Sequence, residues 1–438
     1  MFPILDNRYL YLAVNNWYNA MKGPSTFFKF AADQWDEKVT PPLSQLLEQD
    51  NVLTALLRRS TAARFRLLQR LTQSYRKPAF GISQVEVDEK TVAVHEETVF
   101  ETPFCKLLHF RKETSKHMPR LLMIAPMAGH YATLLRDTVR DALPCFDVYV
   151  TDWVNARDVP ISHGGFDMDS YIATLVRCFE YLAPDFHILA VCQAGVPAYA
   201  AVSLLEDRKD VHELLPTSMT LMGCPINVRC SPTSVNNFAA KYDEDWFEHM
   251  TLSIVPAGYP GERRLVYPGF MQLTAFLSMN PERHQQSIAN AIEHYIEGNF
   301  EGEEKISSFY AEYCAVMDLT AEFYLQTVRV VFQEALLPQG KMVSRGKLVD
   351  PKAIRKTAVF AIEGERDDIC GIGQTKAALD LATNLSDSKK EYLLLKDAGH
   401  YGIFNGHRFR EEVLPAMQAF IARAQNRTSV NIRKMENA

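Results

Sequence analysis

The sequence predicts an α/β fold with a mostly parallel central sheet flanked by helices. Two observations carry this. Short apolar runs alternate with helical stretches, as they do when parallel strands are buried on both faces. That alternation also breaks off near Pro225 and resumes at Ala358, as if one sheet were interrupted by a long insertion.

The apolar runs come in order. They are Leu121–Ala125, Phe146–Val150, Phe186–Val191 and Met219–Met222, then Ala358–Ile362 and Tyr392–Leu395. Helical patterns separate them, at Ala132–Ala142, Asp169–Leu182 and Val196–Glu206, and a helix over Arg408–Arg423 closes the unit. Two strand-like runs, Thr91–Val99 and Phe104–Phe110, precede the alternating part, after the punctuation of Pro78 and Gly81. Five regions follow from these patterns. Residues 1–76 form an N-terminal helical arm, and 77–226 the first part of the core. Residues 227–345 form a helical, aromatic-rich cap, 346–425 the second part of the core, and 426–438 a polar, frayed tail.

The arm is dense in aromatics: Tyr9, Tyr11, Trp17, Tyr18, Phe27, Phe28, Phe30 and Trp35. A second run has Leu53, Leu56, Leu57, Phe65, Leu67, Leu68 and Leu71 at helical spacing. Two readings stay open. The arm packs on the main domain or on a second subunit, or it offers an apolar surface to a greasy partner.

Composition narrows the function. The 438 residues are 47% hydrophobic and 23% charged, with 53 acidic against 47 basic residues and a net charge of -6. This is globular composition with no overall pull on phosphate backbones, which disfavours nucleic acid. No run of about 18 uncharged apolar residues indicates a membrane span. The N-terminus has no basic stretch followed by an apolar one, so a cytoplasmic protein is expected. Eight cysteines lie at 105, 145, 178, 192, 224, 230, 314 and 370 without a CxxC pair, so neither zinc nor a disulfide framework is expected, and no organic cofactor is implied.

Three strand ends carry the chemistry, where α/β sheets bind ligands. After Phe186–Val191 comes Cys192-Gln193-Ala194-Gly195, running into a helix. A sharp strand-turn-helix needs small residues on both sides of a nucleophile, here Ala190 and Ala194, and it lifts the sulfur above the sheet. The pattern departs from G-x-S-x-G, with Cys for Ser and Ala at both Gly positions. After Ile362 comes Gly364-Glu365-Arg366-Asp367-Asp368, where an acid can orient a catalytic His. Asp367 is favoured over Asp368 because it stands three after Gly364. After Leu395 comes Gly399-His400-Tyr401-Gly402, a glycine-flanked His suited to a general base. The chain order Cys192, Asp367, His400, with a cap-sized insertion before the acid, is that of the α/β-hydrolases. For the oxyanion hole the backbone N–H of Gln193 is one expected donor. Met127 or Ala128, in the loop after Ala125, is the other. His130 of the same loop comes from the wrong place to be the base.

The segments Lys77-Pro78-Ala79-Phe80, His130–Arg140, Val148–Trp153, Val191-Cys192-Gln193, Val266–Phe270, Gly364–Ile369 and His400–Phe404 together resemble the intracellular polyhydroxybutyrate depolymerases. The resemblance runs from about Lys77 to Ile421, and more loosely into the arm. It implies an α/β-hydrolase fold and a Cys-His-Asp triad on Cys192, His400 and Asp367. It also implies hydrolysis of stored amorphous polyester through an acyl-thioester, and association with cytoplasmic polyester granules. A homo-oligomer is left open. The alternatives are a polyester synthase-like acyltransferase, whose paired glycines after the Cys are missing here, and a general esterase or thioesterase.

Overall fold

A computed structural model describes residues 10–35, 59–66, 69, 76–208, 211–279 and 281–436. Tyr9, Leu53, Leu56, Leu57, Leu67, Leu68 and Leu71, singled out above, lie outside the described residues.

Nine strands make one sheet. The edge is an antiparallel meander of β1 (Gln84–Val87), β2 (Lys90–Thr102) and β3 (Cys105–Lys112). The parallel part is β4 (Arg120–Ile124), β5 (Asp147–Trp153), β6 (Phe186–Val191) and β7 (Ser218–Met222), joined after the insertion by two later strands, Ala358–Gly364 and Lys390–Leu395. The spatial order is β1-β2-β3-β5-β4-β6-β7 followed by those two. β3 runs antiparallel to β5, and every later pairing is parallel. The eight strands from β2 onward, with β5 placed before β4, have the order of the α/β-hydrolase fold. β6 and β7 are buried along their whole length, which is why they read as unbroken apolar runs.

The insertion is more than helices. A three-stranded antiparallel sheet of β8 (Ser253–Ile254), β9 (Leu265–Tyr267) and β10 (Leu319–Thr320) forms part of it, and a small hairpin of β11 (Val343–Ser344) and β12 (Lys347–Leu348) ends it. In the sheet order the two later strands are therefore β13 and β14. Helices Ser234–Lys241, Glu244–Thr251, Gly269–Met279, Pro281–Glu297, Phe300–Tyr313 and Ala321–Gln326 belong to the cap as well.

The seam between cap and core is made by residues 312–318. Met317 N–H donates to Gly129 O at 2.7 Å and Ala156 N–H to Asp318 O at 3.1 Å. Asp318 N–H donates to Asn155 Oδ1 at 3.1 Å, and Glu312 pairs with Arg136.

The arm packs on its own cap. Helix α1 (Leu10–Trp35) buries Tyr11 against Val255, Val266 and Ala156. The Tyr11 hydroxyl donates to Asp318 Oδ2 at 2.6 Å and accepts from Arg157. In the second helical piece, Ala62 and Ala63 pack on Tyr295. Trp17, Phe27 and Phe30 of α1 are left 48%, 59% and 60% exposed.

At the other end, the last helix runs from Leu414 to Glu436 rather than fraying at 426. No Gly or Pro follows Pro415, so nothing in the sequence stops it. Among the described residues no helix is long and apolar enough to cross a membrane.

Candidate active site

Strand β6 delivers Cys192 in a left-handed backbone conformation, φ +55°, followed by a single 3-10 turn and the helix Gly195–Glu206. A side chain in that region is strained, and the surrounding structure must hold it there. Packing below the turn does so. Ala190 and Ala194 are fully buried. A Cβ on Gly195 would sit 2.4 Å from both Cβ and Sγ of Cys224, so only glycine fits. The elbow is thus built by small residues in a pattern other than G-x-S-x-G.

Strand β13 ends at Gly364, where a Cβ would lie 2.5 Å from Ala398 O. That close approach brings the loop of Asp367 beside the loop of His400. Asp367 Oδ2 accepts from His400 Nδ1 at 2.7 Å. Its Oδ1 accepts from the backbone N–H groups of Ile369 at 2.9 Å and Cys370 at 2.8 Å. Of the two adjacent acids, Asp367 is the one that holds the imidazole. His400 lines the same cavity as Cys192. Burial pulls His400 down, but the carboxylate of Asp367 and the Cys192 sulfur outweigh it, and its pKa is raised well above the usual histidine range. The proton is therefore held on the ring.

Gly223 closes the back of this pair. Its φ is +56°, and a Cβ there would be 3.0 Å from His400 Cε1 and 3.3 Å from Asp367 Oδ2. Sequence reasoning did not single out this residue. The available signal was a glycine placed directly after the apolar run of β7.

The loop after β4 comes to the same place. Met127 and His130 are buried. His130 Nε2 faces the carbonyl of Tyr313 at 3.0 Å, and since a carbonyl only accepts, that nitrogen carries the proton. Burial pushes its pKa down to about 4. Met127 N–H is already engaged, donating to the side-chain Oε1 of Gln193 at 3.1 Å.

Cys192, Gln193, His400, Met127 and Ala128 open on one cavity of about 550 Å³. Phe238, Phe247, Phe323, Tyr324 and Phe332 of the insertion make much of its wall apolar. The side-chain nitrogens Gln193 Nε2 and Gln272 Nε2 are buried without a hydrogen-bond partner. Among the described residues no group of three His, Cys, Asp or Glu side chains could hold a metal ion, and all eight cysteines are free thiols.

Residues 223–425 match the family described as PHB de-polymerase C-terminus, so the resemblance read from the sequence holds over that region. No curated protein matches the chain in sequence. Among solved structures, a monoacylglycerol lipase from Paleococcus ferrophilus is 12% identical, with a TM-score of 0.40, over 70% of this chain and 96% of the lipase. A thermophilic esterase from Thermogutta terrifontis is 13% identical, with a TM-score of 0.38, over 78% and 97%. The thioesterase domain from the curacin biosynthetic pathway is 11% identical, with a TM-score of 0.40, over 75% and 99%. The fold assignment itself stands on the strand order. With this fold and this family region, the chain is a carboxylic ester hydrolase.

Proposed function

We propose that the protein is an intracellular depolymerase of poly(3-hydroxybutyrate), with Cys192 as nucleophile, His400 as acid and base, and Asp367 as the residue that orients it. The observation that carries this is the buried Asp367–His400 hydrogen bond beside an apolar cavity that His400 lines together with Cys192. A methyl-studded polyester suits such walls, and the family region points to the same polymer.

The cycle is acyl transfer. Cys192 Sγ, its proton held by His400, attacks an ester carbonyl, and the carbonyl oxygen becomes an oxyanion. The C–O bond breaks and His400 gives its proton to the departing alcohol end of the chain. A 3-hydroxyacyl thioester remains on Cys192. Water then attacks that carbonyl while His400 takes its proton. The C–S bond breaks, releasing 3-hydroxybutyrate or a short oligomer and regenerating the nucleophile. The polymer surface is the partner to which the exposed aromatics of α1 would turn.

The test is release of soluble 3-hydroxybutyrate from amorphous granules by wild type beside Cys192→Ala. Release lost in the variant supports the reading. Full release by the variant overturns the mechanism. Turnover of a soluble acyl-CoA with nothing released from granules moves the protein to acyl transfer or thioester hydrolysis.

A further inference from the structure

Strand β7 ends at Met222, and the next two residues stand between the two halves of the site. Gly223 N–H bonds to Ile362 O of β13 at 3.0 Å. A Cβ on Gly223 would lie 3.0 Å from His400 Cε1 and 3.3 Å from Asp367 Oδ2. Cys224 meets the other half. Its Sγ lies 3.4 Å from Ala190 O, and its Cβ and Sγ fill the space that a side chain on Gly195 would need. Gly223-Cys224 is therefore a spacer. The acid and the imidazole abut one residue of it, and the nucleophile elbow abuts the other.

The Thr375 hydroxyl grips this spacer. Thr375 is fully buried, in the turn before helix Ala377–Leu381. Its Oγ1 accepts from Cys224 N–H at 2.7 Å and donates to Cys224 O at 3.1 Å. Cys224 O also accepts from Ile226 N–H at 2.8 Å. Without the hydroxyl that carbonyl keeps a partner, but the N–H of a fully buried residue loses its acceptor. Buried backbone donors are seldom left unpaired, so the segment would have to shift. The same oxygen lies 3.7 Å from Cys370 Sγ, and Cys370 N–H is one of the two donors to Asp367 Oδ1.

Thr375 is itself held from behind. Oε1 of the buried Glu363 accepts from Thr375 N–H at 2.7 Å and Lys376 N–H at 2.9 Å. Oε2 accepts from Gly373 N–H at 2.9 Å and the Tyr392 hydroxyl at 2.8 Å. A carboxylate taking four donors makes a rigid anchor for this turn.

We propose that Thr375 is a positioning residue: its hydroxyl, anchored through Glu363, holds Gly223-Cys224 at the height that sets the Cys192 elbow against the His400–Asp367 pair. Thr375 touches neither substrate nor the reacting atoms. The inference rests on the acyl-transfer reading of the site, because that reaction needs sulfur and imidazole in register. A misplacement of about 1 Å can slow such a reaction about 100-fold. The apolar wall that would grip an acyl chain comes from the insertion, so the effect falls on kcat rather than on KM.

Three full-length variants are compared with wild type on soluble p-nitrophenyl butyrate. Thr375→Ser keeps the hydroxyl. Thr375→Val keeps the volume without it. Thr375→Ala lacks both hydroxyl and methyl, and carries the test if the valine variant does not fold. Rates are taken per folded molecule, with the folded fraction from circular dichroism, well below the lowest melting temperature. The expected result is a fall in kcat of about 10- to 100-fold in Thr375→Val and Thr375→Ala, with KM within about threefold of wild type. Thr375→Ser should stay within about threefold in both constants.

A folded valine or alanine variant that melts lower yet keeps wild-type kcat would make Thr375 a support for stability alone and overturn the proposal. Thr375→Ser falling as far as Thr375→Val would assign the effect to packing of the methyl group, and overturns it too. So would a raised KM with kcat unchanged. Failure of the underlying reading looks different. Wild type would then hydrolyse no ester at all, and this inference would fall with it.

Discussion

Replacing Asp367 by Asn tests the triad at its most constrained point. The carboxylate has two jobs on two oxygens. Oδ1 receives the N–H groups of Ile369 and Cys370, and Oδ2 receives His400 Nδ1. An Asn side chain has one oxygen to offer. Placing its NH2 against two backbone N–H groups leaves both donors unmade at about 1–3 kcal/mol each, so the oxygen stays with the backbone pair. The NH2 then faces His400 Nδ1, which must become an acceptor, and the ring proton moves to Nε2 on the Cys192 side. A ring in that tautomer cannot take the sulfur's proton. The same exchange in a serine triad lowers kcat by about 10⁴, near 5.5 kcal/mol, and a loss of this order is expected here. The assay is kcat on a soluble ester across a pH series. The deficit should narrow as pH rises and hydroxide removes the proton instead. The sign for stability follows from the raised pKa of His400. The Asp367–imidazolium contribution is complete below about pH 6.5, the ordinary histidine value, and is lost as pH climbs through the raised one. The melting-temperature gap between wild type and Asp367→Asn should therefore be widest in acid and shrink toward alkaline pH. A variant within about tenfold of wild type at neutral pH would refute the reasoning, as would an equal loss in Asp368→Asn.

Other perturbations read different parts of the elbow and the arm. Cys192→Gly should unfold less readily than Cys192→Ala, by about 1 kcal/mol, because glycine relieves the left-handed backbone that alanine keeps; denaturant titration compares the two inactive proteins. Gly195→Ala drives a Cβ into Cys224 and should cost about 1–3 kcal/mol in the same measurement, with esterase activity falling alongside; a variant as stable as wild type would show that the elbow can move away from β7. Tyr11→Phe removes a hydroxyl from the buried Asp318, whose pKa burial already raises. It should cost about 1–3 kcal/mol at neutral pH, and less as falling pH neutralises the carboxyl. A penalty independent of pH would mean that Tyr11 holds the arm by packing alone.

How much of this was legible depends on where each signal resides. Strands buried on both faces, such as β6 and β7, announce themselves as unbroken apolar runs, and the sheet could be read strand by strand. Cys192 was legible because it directly follows such a run, and Asp367 and His400 because each sits in a short loop after a later strand; the structure joins Asp367 to His400, which shares a cavity with Cys192. The cap sheet was not. Its strands are two or three residues long, and Leu319 pairs with Tyr267 across a long stretch of helices, so no local periodicity marks it. Gly223 was missed because its work is done against His400 and Asp367, far away in the chain. The engagement of Met127 N–H was invisible for the same kind of reason. It depends on the rotamer of Gln193 rather than on any motif.

The seam at residues 312–318 bears on how this enzyme can be rebuilt. The stretch that closes the cap bonds to Gly129 and pairs with His130 in the same loop as Met127, and it bonds again to Asn155 and Ala156 at the end of β5. Those contacts belong to neither part alone. A cap exchanged between homologous enzymes by cutting only at its ends would leave the 127–130 loop and the 155–157 turn mismatched to the incoming seam. A working chimera must carry these two core loops with the cap. The unit of inheritance for specificity is therefore the cap plus the loops it is stitched to, and a library that randomises the wall of the cavity should keep that seam intact.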